Sequence, residues 1–171
     1  NRISGYTFPS EKKAKEKILF GNFLACIGVF MHRDLCQHHR FDTSAIVNGT
    51  EDHEYWIRVL GDYPNLGRIK KVLCAIQEHP QRTMNQVVVN RSMERKMYIY
   101  NKLIHDATLL KQYPDQAIAF LSYSNVFAAS ASLDNKDRRS AFIYLKKAFT
   151  AYPKIALNNF FLKVLILSFT K

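Results

Sequence analysis

Glu51 and Asp52 stand side by side in "NGTEDHEYWIRVL", directly after Thr50. A carboxylate so placed can do acid–base work, taking the proton from a hydroxyl as that hydroxyl attacks an electrophile. It can equally serve a helix start, where unpaired N–H groups and the positive end of the macrodipole favour negative charge. Trp56 follows with an aromatic face that can stack on a ring, and Arg58 with a fork of donors. His79 and Arg82, in "QEHPQRTM", add an imidazole and a guanidinium. A second group, His32, Cys36, His38 and His39 in "MHRDLCQHHRFD", has residue types that suit zinc, but no Cys-X-X-Cys pair accompanies it.

These side chains need elements to hold them. Thr50 is a good N-cap for a helix over 51–63, on which Trp56, Val59, Leu60 and Tyr63 share one face. A short charged helix is predicted over 11–20, with Ser10 as its cap and Gly21 as its stop. The apolar run over 22–33 reads as a buried strand, and 68–77 as a second one. A helical turn is expected over 34–39, a loop over 41–49 and a polar loop over 80–85. From residue 87 the pattern is helical: 87–112, 114–133, 138–151 and 153–169, with prolines at two of the starts. Ala141, Leu145, Ala148 and Pro153 have the spacing of a tetratricopeptide second helix, as a single weak unit.

The chain of 171 residues has a formal charge of +11. Residues 1–66 are balanced, with eight basic and eight acidic side chains, whereas 67–111 and 132–171 each carry +6. Basic surface favours anionic partners. No signature of a nucleic-acid-binding fold accompanies it, so nucleic acid is not expected as a partner. Three cysteines, Cys26, Cys36 and Cys74, do not make a disulfide framework and point to a reducing compartment. No long uncharged apolar run suggests a membrane span. The last predicted helix, rich in Phe, Leu and Ile, is expected to be buried, with an amphipathic membrane-surface anchor as its alternative.

The order of features is an apolar stretch ending at Arg33, a turn, Phe41-Asp42, a loop, Glu51-Asp52, Trp56, Arg58, a second apolar run and the His79 loop. Over residues 18–86 this order resembles the second half of the catalytic domain of family 2 glycosyltransferases, enzymes of the A-type nucleotide-sugar fold. The family typically reads "FDE" where this chain has "FDT". The resemblance implies an α/β partial domain over 1–86, the C-terminal, acceptor-side part of a GT-A-like fold. An all-α tail of about four helices would follow over 87–171.

It further implies inverting transfer of a sugar from a nucleotide-sugar donor to an acceptor hydroxyl, with Asp52 as general base. Glu51, Trp56 and Arg58 would bind the acceptor or support the base. His79 and Arg82 would lie near the metal or the diphosphate. The family's Asp-X-Asp triplet is not in the sequence. A Mg or Mn ion is therefore expected only with a donor-binding half beyond this chain, which alone would be inactive.

The implied partners are the donor and a sugar or lipid-linked acceptor, in cell-surface polysaccharide synthesis of a bacterium. The implied location is cytoplasmic, with peripheral contact at the inner face of the membrane. Unpaired strand edges in 22–33 would favour self-association. The competing reading is a non-enzymatic helical protein-interaction module built on the 87–171 tail.

Overall fold

The structure, a computed structural model, describes residues 9, 13–69, 71, 73–75, 77 and 88–170. Among these residues the regular elements are all helical. They are α1 (Ala14–Ile18), α2 (Arg33–His38), α3 (Glu51–Asp62), α4 (Val89–His105), α5 (Ala107–Gln112), α6 (Ala117–Asp134), α7 (Arg138–Ala151) and α8 (Asn159–Thr170). Short 3-10 turns lie at Cys26–Gly28, Ala45–Val47 and Pro153–Leu157.

This corrects the expected α/β architecture. No strand forms among the described residues of 22–33 or 68–77. An apolar run becomes a strand only when another strand meets its backbone N–H and C=O groups. No such partner lies among the described residues. Residues 22–32 run as irregular, largely extended chain broken by the Cys26–Gly28 turn, with Arg33 already in α2, and side chains of α3 hold them. The Trp56 indole N–H donates to Leu24 O at 2.8 Å, and the Tyr55 hydroxyl meets Met31 Sδ at 3.9 Å. Leu24 is buried, but Phe30 remains 82% exposed, so the run does not form a core strand. The A-type nucleotide-sugar fold is built on a sheet, and the all-helical architecture overturns the resemblance to family 2 glycosyltransferases.

Two apolar clusters organise the helices. The first joins Ile18 and Leu19 to Ile57 and Leu60 of α3, Ile99 and Leu103 of α4, and Phe120 of α6. It draws on both sides of residue 86. The second joins Val126, Ala129 and Leu133 of α6 to α7 and α8. The expected single helix over 87–112 is split at Asp106. Its carboxylate accepts from the N–H groups of Thr108 and Leu109 at 2.8 and 3.1 Å and so starts α5. This is N-cap chemistry placed inside a helical pattern.

The middle of the fold is α6, buried on several sides at once. Its small residues let neighbours come close. Ser122 Oγ donates to Ala148 O of α7 at 2.8 Å, and Ala129, Ala141 and Ala148 are wholly enclosed. The turn into α7 places Lys136 at φ 60°, and Asp137 then caps α7 by accepting from Ser140 N–H at 3.0 Å. The expected helix over 138–151 forms as read, with Ala141, Leu145 and Ala148 on its buried face.

The α6–α7 contact supplies a first prediction. Ala148→Leu adds methylenes where no space exists and should cost about 1–3 kcal/mol. A urea midpoint unchanged from the parent chain would show that this contact is not close-packed.

Candidate functional site

The site is set by how α3 is held. Eight of its twelve residues are buried, among them His53 and the carboxylate of Glu54. Glu54 is only 2% exposed. Arg58, one turn later, donates Nε to Glu54 Oε1 at 2.8 Å and Nη2 to Glu54 Oε2 at 2.9 Å. Lys102 of α4 adds a third bond to Oε1 at 2.7 Å and bridges to Asp42 Oδ2 at 2.6 Å. Asp42 also accepts from the Tyr98 hydroxyl and from Ser44 N–H. Burial opposes its ionisation, but Lys102, Ser44 and Tyr98 prevail and hold it well below the usual carboxylate range. Phe41 stacks on Tyr55 at 4.2 Å beside it. The "FD" pair is thus part of the brace that fixes α3 against α4.

The brace leaves the N-terminal edge of α3 outward. Gly49 enters it at φ 88°, a left-handed conformation that suits glycine, and the Arg95 guanidinium lies so close that a Cβ there would be crowded. Thr50 does not cap the helix with its side chain, contrary to expectation; its hydroxyl donates to Val47 O instead. Glu51 takes the local role, accepting from Gly49 N–H at 2.5 Å.

Asp52 is half-buried. Its Oδ1 accepts from His53 N–H at 2.7 Å and its Oδ2 from the Asn22 side-chain amide at 2.8 Å. Asn22 is itself oriented, because its carbonyl accepts from Leu24 N–H at 3.0 Å. Desolvation pushes the Asp52 pKa above its ordinary value, against the two hydrogen bonds and with help from Glu51. The sequence expectation was of a helix terminus favouring ionisation. Burial outweighs that effect here. Cys26 borders the same edge, and its thiol is pushed up by burial and then by the charges of Asp52 and Glu51.

Behind Asp52 lies a buried imidazole. His53 Nε2 is 2.6 Å from Ile18 O, an acceptor only, so this nitrogen carries the proton. Its Nδ1 then accepts from Lys96 Nζ of α4 at 2.8 Å. Burial, with Lys96 alongside, lowers the His53 pKa to about 3, so the ring is neutral. Burial also lowers Lys96 to about 8, while Asp52 pulls the other way. Lys96 further lies 5.6 Å from the Phe120 ring centroid.

The structure therefore brings Glu51 and Asp52 together with Asn22, Cys26, His53 and Lys96. Trp56 is buried in the core with its N–H engaged by Leu24, and Arg58 belongs to the Glu54 brace. His79 and Arg82 lie outside the described residues. The histidines near Cys36 take separate roles. His32 Nδ1 accepts from Asp34 N–H at 3.4 Å, His38 bonds Asp34 O, and His39 packs edge-on against Tyr55 and Tyr63. Among the described residues no group of three His, Cys, Asp or Glu is arranged to hold a metal ion.

No family model, curated protein or solved structure matches this chain.

Sequence reading missed Asn22, His53 and Lys96. His53 had a signal: it follows the acidic pair directly, and Trp56 and Ile57, three and four residues on, are apolar and buried. Asn22 and Lys96 had none, because each reaches the site across thirty residues of sequence or more.

The buried imidazole makes stability depend on pH. His53 has an unfolded pKa near 6.5 and a folded value of about 3, so between them the unfolded chain binds more protons. Stability is complete above the unfolded value and falls as pH drops toward the folded one. A loss on the order of a few kcal/mol is expected between neutral pH and pH ~4. Urea titrations across this range should show it, and His53→Gln should flatten the dependence. An equal acid loss in the variant would assign it elsewhere.

Proposed function

We propose that this chain supplies the acceptor-activating site of an inverting, nucleotide-sugar-dependent glycosyl transfer, with Asp52 as the general base. The observation that carries the reading is the setting of Asp52, a half-buried carboxylate at the outward edge of α3 held by the Asn22 amide and His53 N–H; its carboxylate also contrasts with others of the chain. Asp42 and Asp137 are held below the usual range, whereas Asp52, at an open helix edge, is raised by desolvation. A carboxylate less willing to ionise is a better proton acceptor, provided it is still ionised when the reaction runs.

The step is a single displacement. The acceptor hydroxyl gives its proton to Asp52 Oδ2 or Oδ1 as its oxygen bonds to the anomeric carbon. The bond from that carbon to the diphosphate breaks, and the nucleoside diphosphate leaves with the electron pair. Asn22 holds the carboxylate in orientation, and Glu51 fixes the turn that precedes it. The described residues offer no fit for a divalent ion, and no step here runs through one.

A second reading, a non-enzymatic interaction module, has its own support. Met93 and Met97 of α4, with Leu121, Ile143 and Tyr144 of the α6–α7 hairpin, line an open, largely apolar groove. Asp52 would then be a structural carboxylate only.

The two readings separate on one substitution. Asp52→Asn keeps the shape but cannot take the proton, and its single carbonyl oxygen can accept from only one of Asn22 and His53 N–H. With the donor-binding half present, transfer from nucleotide sugars should fall on the order of a hundredfold or more, at a stability cost of about 1 kcal/mol. Glu51→Gln should be milder. Near-normal turnover in Asp52→Asn would remove the base and with it the enzymatic reading.

The pH profile supplies a companion test. Activity needs ionised Asp52, so its acid limb should lie above the ordinary aspartate value. Asn22→Ala removes a bond that favours the charged form, and the limb should move to still higher pH. A limb that stays in place would mean that another group controls it.

A further inference from the structure

The C-terminal part of the chain is divided in both charge and exposure. From Ser140 onward there is no acidic residue, and the basic ones are Lys146, Lys147, Lys154, Lys163 and Lys171. The expected helix over 153–169 is in fact two pieces, the 3-10 turn Pro153–Leu157 and α8. Asn158 separates them, its side chain accepting from Phe160 N–H at 2.8 Å and Phe161 N–H at 3.3 Å. On α8, Phe161, Val164 and Ser168 point inward and are buried. Leu162, Ile166 and Phe169 recur at helical spacing on the opposite side and are exposed, the last two at 62% and 67%. Leu157, in the turn before, is 84% exposed.

The exposed side is not confined to one helix. Phe169 meets Phe142 of α7 edge-on, with ring centroids 5.2 Å apart, and Phe142 is itself exposed. The Arg138 guanidinium reaches the end of α8, donating to Ser168 O at 3.2 Å. Aromatic and aliphatic groups thus stand out from a surface whose formal charges beyond Ser140 are all positive. Lys154 and Lys163 are exposed beside them.

We propose that this face, formed by Leu157, Leu162, Ile166 and Phe169 with Phe142 of α7, docks on the surface of an anionic lipid bilayer. Charge complementarity selects the occupant. A second copy would bring like charge against like charge, which opposes pairing. A bilayer of anionic lipid offers the opposite sign and an apolar layer beneath the headgroups. The shape agrees, because these side chains protrude from a helix and do not line a cleft. α8 has twelve residues, so it is ~18 Å long, too short for a hydrocarbon core ~30 Å thick. It lies on the surface and does not cross. This inference stands apart from the role of Asp52 and draws on none of the same residues.

The test is flotation of the whole chain with vesicles of phosphatidylcholine alone and of phosphatidylcholine mixed equally with phosphatidylglycerol. Binding is expected to the mixed vesicles, little to the neutral ones, and less as salt rises. Ile166→Glu with Phe169→Glu should weaken it about tenfold or more, and Lys154→Glu with Lys163→Glu by a similar factor. All four positions are exposed, so the variants should keep the parent's circular dichroism and melting temperature. Failure to float with the mixed vesicles overturns the proposal, as does binding that both double variants retain. Light scattering decides the remaining alternative: a dimer abolished by Ile166→Glu with Phe169→Glu would make a second copy the occupant and overturn the lipid assignment.

Discussion

The buried carboxylate of Glu54 is the constraint from which the arrangement of the first core follows. A charge in the interior is tolerated only with partners that meet it closely, and removing one partner of such a set costs about 3–5 kcal/mol. Glu54 has two: Arg58 from its own helix and Lys102 from α4. The first fixes the side chain along α3. The second ties α3 to a helix more than forty residues later, and Lys102 passes the tie on to Asp42 in the preceding loop. Neither helix can rotate about its axis without separating these charges. Apolar packing brings α3 and α4 together, and the ionic set chooses their rotation.

That rotation decides what each residue of the "EDHEYW" segment does. With Glu54 directed at α4, Tyr55 and Trp56 face the 22–33 segment and the loop at 39–42, where they replace the ladder bonds that a strand would have made. His53 is driven beneath α1 and made neutral. Asp52, on the remaining side, reaches the surface at the helix edge. Two carboxylates two positions apart on one helix thus experience opposite settings. Glu54 is surrounded by cations, and Asp52 receives an amide and a backbone N–H but loses much of its water.

Helices were legible where their own side chains determined them. Arg138–Ala151 could be read to the residue because Asp137 caps one end and the alanine–leucine face repeats at helical spacing. The break at Asp106 was equally local, but the cap was hidden by apolar residues that continue the period on both sides. The strands failed for a different reason. An apolar, β-branched run states that a segment is to be covered, without stating by what. In 22–33 the cover is α3, reached through Trp56 and Tyr55, so the backbone stays extended without pairing. The family resemblance failed with the strands, since it rested on the order of short motifs whose expected positions on a sheet do not occur among the described residues. At the site, Glu51 and Asp52 were visible as a pair. The residues that tune Asp52 were not, because Asn22 and Lys96 arrive from other elements.

The acidic side chains also explain why the exterior is so one-sided. Asp106 and Asp137 start helices, Asp42 and Glu54 are joined to Lys102, and Glu51 closes the turn at Gly49. Several of the chain's acids are therefore engaged in holding backbone or cations in place, where their charge is locally balanced. No acid follows Asp137, so the lysines of the last thirty residues meet no such balance. A positive exterior would by itself favour ionisation of every carboxylate. Asp52 is shifted the other way all the same, because burial takes water from the carboxylate itself. The effect depends on distance: the lysines of α7 and α8 act through solvent and are screened within about 10 Å at ordinary salt, whereas desolvation acts on the carboxylate directly.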